Sequence, residues 1–242
     1  MQNSNSKNLN LRVEEAFSRM IARLKERTPR GQTAVLPPPP MKDLYDCAMY
    51  LHSHLKARRV DYYFCGGFAC INVGMAARST SDIDIAVPNG PNGFGVLLDI
   101  FSGPPFIQDQ SGILPKNSYY FYVEASGNFV EVDGIIAGFM AFPEVDKAKI
   151  VQAGYKMQLN FLDPTNLLML KLSSWANETR RNGPKKFGDM SDITSIRDLL
   201  ISNEKSVDLV GLQGDMAKGL RIWIKEFNDL TTWRKLDKGC KD

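Results

Sequence analysis

Histidine is nearly absent from this chain and cysteine is sparse, at two and four residues in 242. The cysteines, Cys47, Cys65, Cys70 and Cys240, form no Cys-x-x-Cys pair, which argues against a zinc site. His52 and His54 lie two residues apart on a helical pattern and so point in different directions, which argues against a shared metal and for structural roles. No apolar run approaches the roughly 20 residues that a membrane-spanning helix needs. The N-terminus is polar, without the apolar core of a secretion signal, so a cytoplasmic protein with no membrane partner is expected. A net charge of +3 is too small to demand nucleic acid, although it permits a phosphorylated substrate. What remains is ordinary globular composition, 43% hydrophobic and 24% charged, with enough length to bury a substantial core.

The residues most telling for chemistry run from 62 to 87, YYFCGGFACINVGMAARSTSDIDIAV. Residues 62–65 read as a short buried strand, Gly66-Gly67 as a tight turn, and 68–76 as a helix of small and apolar residues. Residues 82–87 read as a second strand. Because side chains alternate across a strand, Asp82, Asp84 and Ala86 share one face while Ile83, Ile85 and Val87 share the other. Two carboxylates held side by side repel and need a cation. A hard divalent ion such as Mg2+, which takes oxygen ligands and shares them with phosphates, meets that need. The glycines, lacking Cβ atoms, let a phosphate approach the N–H groups at the start of the following helix.

Gly66-Gly67, the spacer, Arg78-Ser79-Thr80 and Asp82-Ile83-Asp84 together resemble the nucleotidyltransferase superfamily typified by polymerase beta. The likeness is strongest to its small bacterial and fungal members, such as minimal nucleotidyltransferases and abortive-infection toxins. A second stretch is also similar to that family: Lys171, Ala176, Arg180, Lys185 or Lys186, Asp189, Asp192 and the pair Leu199-Leu200. The resemblance covers about residues 60–200. It implies an α/β (α+β) fold, with a mixed-sheet nucleotidyltransferase core, a C-terminal helical domain and an active cleft between them.

Before the motif, residues 11–27 repeat Val13, Phe17, Met20 and Leu24 at helical spacing, an amphipathic helix expected to dock on the body in preference to a second copy. Prolines 37–40 form a stiff extended spacer, and residues 41–56 a second helix. After the motif, 94–101 reads as a short helix. Residues 118–124 and 129–136 read as a hairpin whose second strand places Phe129, Glu131, Asp133 and Ile135 on one face. A strand over 155–162 follows, then helices over 165–179, 189–201 and 215–227, with a frayed, charged end from Thr231. The expected divisions are an N-terminal helical arm and linker (1–40), a catalytic core (41–162) and a helical domain (163–242). The tyrosines of 118–124 are expected to pack in the sheet rather than to stack on a base.

The reaction this implies is Mg2+-dependent transfer of a nucleoside monophosphate from a nucleoside triphosphate to a hydroxyl or other nucleophile, with two ions as in two-metal phosphoryl chemistry. Asp82, Asp84 and a third acid would hold the metal. Gly66, Gly67, Ser79 and Thr80 would grip phosphate, while Arg78, Lys171 and Arg180 would supply positive charge. Asp133 is preferred over Glu131 as the third acid: two residues along a strand is roughly 6.5 to 7 Å, too far for both to be ligands, and Gly134 leaves room beside Asp133. The alternative is a tRNA-binding or aminoacyl-tRNA-using, cyclodipeptide-forming enzyme on the same fold. Its RNA track would be Arg58, Arg59, Arg180, Arg181, Lys185 and Lys186.

Overall fold

A computed structural model of the chain describes residues 2–74, 76–153 and 158–237. In chain order these form α1 (Gln2–Arg27), α2 (Met41–Ala57), β1 (Tyr63–Cys65), α3 (Gly66–Val73), β2 (Asp82–Val87) and α4 (Phe94–Phe101). Four strands follow, β3 (Phe106–Gln108), β4 (Tyr119–Val123), β5 (Asn128–Ile136) and β6 (Ile150–Ala153), then β7 (Leu159–Leu162). The rest is helical: α5 (Pro164–Trp175), α6 (Glu178–Arg181), α7 (Lys186–Ser202), α8 (Gly214–Phe227) and α9 (Leu230–Arg234). Contacts divide the chain into two compact units, Met1–Tyr62 with Thr80–Ala137, and Tyr63–Ser79 with Gly138–Asp242. This division does not follow boundaries at 40 and 162. The N-terminal arm belongs to the same unit as Asp82 and Asp133, and the glycine motif to the same unit as the C-terminal helices.

In the first unit the strands run in the order β3-β4-β5-β2, with β2 and β5 parallel and the other pairs antiparallel. Ile83, Ile85, Val130 and Val132 are wholly buried on one face, where an added Cβ at Gly134 would meet Leu97 and Phe101 of α4 at 3.0 and 3.2 Å. The room beside Gly134 is therefore taken by a packing helix rather than kept for a substrate, because Gly134 and Asp133 point to opposite faces. The other face is partly covered by α1. Its Val13, Phe17 and Ile21 form a core with Tyr120, Phe129, Leu36 and Leu114, and Phe17 lies 5.6 and 5.2 Å from the Tyr120 and Phe129 rings. The expected docking of the amphipathic helix is thus observed. Tyr119 stacks on Phe101 at 4.4 Å and the Tyr122 ring lies tilted 5.2 Å from Phe129, so the strand tyrosines pack in the sheet. The β4–β5 turn carries Gly127 at φ 73, and Asp43 near the start of α2 accepts from Ser126 Oγ (2.9 Å) and Asn128 Nδ2 (2.7 Å), fixing the hairpin.

In the second unit β1 pairs parallel with β7, and β7 antiparallel with β6. Phe64, Phe68 and Phe161 pack within 6 Å of one another between this sheet and α3. The paired glycines do not precede α3 but form its first turn, with Gly66 at φ 61; Gly74 caps its end, short of the expected 76. Asp163 accepts from Asn166 N (3.1 Å) with Pro164 at the first helical position, as its sequence implies. The helix expected over 165–179 is split, since Ala176 ends α5 and the Asn177 side chain caps α6. Where α8 crosses α5, a Cβ on Gly219 would lie 1.8 Å from the Leu172 carbonyl oxygen, so only glycine permits the approach. Of the end expected to fray, residues 231–237 are instead ordered, and 238–242 lie outside the described residues. Trp233 and Leu236 are buried, Arg197 lies 5.7 Å over the Trp233 ring, and Val207 N donates to Leu236 O at 2.7 Å. Of the strand expected over 155–162, residues 155–157 lie outside the described residues, as does Cys240.

Candidate active site

The first unit's acidic residues follow from strand register. Asp82 is paired with Glu131 and Asp84 with Asp133 on neighbouring parallel strands, and residues paired in this way share a face. Four carboxylates thus form a two-by-two patch, separated by about 4.8 Å across the strands and about 6.6 Å along them. All four are half-buried while their apolar neighbours Ile83, Ile85 and Val132 are inaccessible. Hydroxyls orient two of them. Thr80 Oγ1 donates to Asp82 Oδ1 at 2.6 Å and Ser118 Oγ donates to Asp133 Oδ1 at 2.8 Å. Ser118 was not singled out from the sequence. Its only signal there is its position at the start of the strand that pairs antiparallel with β5. Tyr120, opposite Glu131, has a buried hydroxyl, and burial together with the Glu131 charge raises its pKa.

Among the described residues no three His, Cys, Asp or Glu side chains close into a ready ligand cage. The donor set nonetheless suits Mg2+: it consists of hard carboxylate oxygens only, brought together by register on a half-buried face where like charges repel. Asp82, Asp84 and Asp133 would hold it. The geometry puts Asp133 beside Asp84 and Glu131 beside Asp82, so both acids remain on the patch.

The second unit holds the basic residues, and here charge is balanced internally. Arg78 donates through Nε and Nη2 to the two oxygens of Asp192 (2.7 and 2.8 Å) and through Nη1 to the Ser79 carbonyl (2.8 Å). Lys171 Nζ lies 2.8 Å from Asp192 and 3.3 Å from Asp189, and Arg180 donates to both oxygens of Asp189. Lys171 is only 5% exposed. Burial opposes its charge, but Cys70, Asp192 and Asp189 outweigh that and hold the ammonium above its ordinary pKa. Burial likewise works to raise Asp189, but Arg180 and Lys171 hold it below the usual aspartate value. Cys70, buried nearby, is pushed up to about 12, first by burial, and is a neutral thiol. Lys171, expected to supply charge to a substrate, is thus committed to two aspartates inside the fold.

Residues assigned to an RNA track also have internal partners. Arg58 pairs with Asp99 (3.3 Å), Arg181 donates to the Trp175 carbonyl (2.7 Å) and Lys186 pairs with Glu226 (3.2 Å). His52 bonds the Tyr62 hydroxyl, and His54 Nδ1 lies 2.9 Å from the Tyr50 carbonyl oxygen, both structural contacts. Cys47, Cys65 and Cys70 are buried and free of disulfides. No described helix is long and apolar enough to cross a membrane.

No protein-family model matches the chain, and no curated protein does. Solved structures do. An antigenic nucleotidyltransferase-like protein from Paracoccidioides brasiliensis is similar over 83% of this chain and 96% of its own, at 17% identity and a TM-score of 0.65. ANT(2")-Ia in complex with adenylyl-2"-tobramycin is similar over 75% of this chain and 99% of its own, at 11% identity and a TM-score of 0.45. What the chain shares with the first of these is the fold, an α/β nucleotidyltransferase-like one.

Proposed function

We propose that the protein moves a nucleoside monophosphate from a nucleoside triphosphate to a nucleophile, an acceptor hydroxyl in the first instance, with release of pyrophosphate. The observation that carries this reading is the carboxylate patch. Asp82, Asp84 and Asp133 occupy one face of two adjacent parallel strands, two of them oriented by hydroxyls. The fold shared with a nucleotidyltransferase-like protein supports it.

In the reaction the acceptor oxygen bonds to the α-phosphorus, the bond from that phosphorus to the bridging oxygen breaks, and pyrophosphate departs with the electron pair. Bound Mg2+ would neutralise phosphate charge and ease deprotonation of the acceptor. Asp133, held by Ser118, receives the acceptor's proton. Gly66, Gly67 and Ser79 contact phosphate oxygens, Thr80, buried and bonded to Asp82, orients that carboxylate, and Arg78 and Arg180 meet charge that develops on the leaving group. Lys171 is a positioning residue: it neutralises Asp189 and Asp192, the same carboxylates that orient Arg78 and Arg180.

The test is incubation with each labelled triphosphate, Mg2+ and a panel of RNA, protein and small-molecule acceptors. Label transfer that EDTA abolishes is expected, as is a rise in melting temperature with triphosphate and Mg2+. The absence of both, with every triphosphate, would discard the reading.

A further inference from the structure

The first unit contains a cavity of about 420 Å3, within the size range of small-molecule pockets. One wall is α1, which presents Arg19, Arg23 and Arg27 to it; another is formed by prolines 37–40, and Tyr122 and Asn128 lie at the β4–β5 turn. None of the lining side chains is acidic. Residues four apart share a helix face, rising about 6 Å per step, so the three guanidiniums form a row. Like charges at that spacing repel, and the nearest ion pair to the row, Glu15 to Arg19, is a loose 3.8 Å contact at the surface. The proline wall has no N–H groups to donate. Polar recognition therefore falls to the arginines and to Asn128, whose Nδ2 is already given to Asp43. Apolar contacts come from Met20, Leu24 and Tyr122.

We infer that this cavity binds a phosphate ester, with its phosphates on the Arg19–Arg23–Arg27 row and its flat, less polar part against Tyr122 and the prolines. Each guanidinium is a planar fork that matches phosphate oxygens in pairs. The stiff proline segment preforms its wall, so little order is lost on binding. The chemistry could come from a free nucleotide or from a single strand of nucleic acid, whose bases stack on aromatics in the same way. The site is separate from the carboxylate patch. It lies at the Asn128–Phe129 end of β5, upstream of Glu131 and Asp133, and its ligand needs no metal.

The test uses the full chain in EDTA, titrated with ATP, inorganic triphosphate and a short single-stranded oligoribonucleotide. At least one should bind saturably and more weakly as salt rises. The triple variant Arg19→Ala/Arg23→Ala/Arg27→Ala should lose affinity at least about tenfold while melting with the wild type. Asp82→Asn/Asp84→Asn should bind as the wild type does, which separates this site from the proposed transfer chemistry. Binding of ATP without the oligoribonucleotide assigns a nucleotide, and the reverse assigns a strand. If none of the three binds, or if the triple variant binds undiminished, the inference falls.

Discussion

Two groups of buried or half-buried aspartates in this molecule have opposite surroundings. Asp189 and Asp192 are 2% and 0% exposed, and each is met by cations: Lys171 touches both, Arg180 holds the first and Arg78 the second. Asp82 and Asp84 sit half-exposed beside Glu131 and Asp133, and the side chains that orient Asp82 and Asp133 are hydroxyls. A carboxylate matched by guanidinium or ammonium is committed to the fold, because removing either partner leaves an uncompensated buried charge. Carboxylates massed on one face repel one another, and an external cation would relieve that repulsion. The same residue type is thus committed to the fold in one unit, while in the other it carries the proposed chemistry.

Four substitutions or conditions test that contrast. The largest effect is expected on activity: Asp82→Asn or Asp84→Asn should bring label transfer to background while the melting temperature in EDTA holds or rises, since like-charge repulsion is relieved. Wild-type turnover in either variant would assign these carboxylates to structure. In the other unit the order reverses. Lys171→Met removes a buried cation that touches both aspartates, leaving each with its arginine, and should cost about 3–5 kcal/mol of stability, read from denaturant midpoints. A variant as stable as the wild type would show that the cluster does not hold the fold together.

Gly219→Ala, which touches no charge, is the control for packing in the same unit. Its Cβ would collide with the Leu172 carbonyl, and a loss of about 1–3 kcal/mol is expected from forced separation of α5 and α8. The smallest effect is on pH dependence. The pKa of Asp189 is lowered in the folded state, so its contribution is present above the ordinary value of 3.8 and is lost as pH falls through the folded value. The pKa of Lys171 is raised, so its contribution is present below 10.5 and is lost as pH climbs past that toward the folded value. Stability should therefore be flat between these limits and fall at both ends. Asp189→Asn should remove most of the acid limb in a melting series, and an unchanged acid limb would assign it to other groups.

Much of the fold was legible in the residues because the signals were local. Alternation over residues 82–87 and 129–136, the Asp163-Pro164 helix start and the Val13-Phe17 stripe each encode a period that the backbone must follow. The short strands β3 and β6 were missed, since three or four residues carry too little periodicity to distinguish a strand from a loop. Residues 231–237 were misjudged because Trp233 and Leu236 are anchors only once Arg197 and Val207 are brought to them.

For the proposed site, the sequence by itself determined which carboxylates share a face of each strand, because alternation along a strand is a property of the chain alone. Tertiary structure decided what those residues meet. The parallel pairing of β2 with β5 set Asp84 beside Asp133, and Ser118 reached Asp133 only through the antiparallel β4–β5 ladder. The approach of α7 to Lys171 turned a residue that looked like a substrate contact into a partner of Asp189 and Asp192. Pairing partners and desolvation depend on groups up to 114 positions apart in the chain, and no local pattern records them.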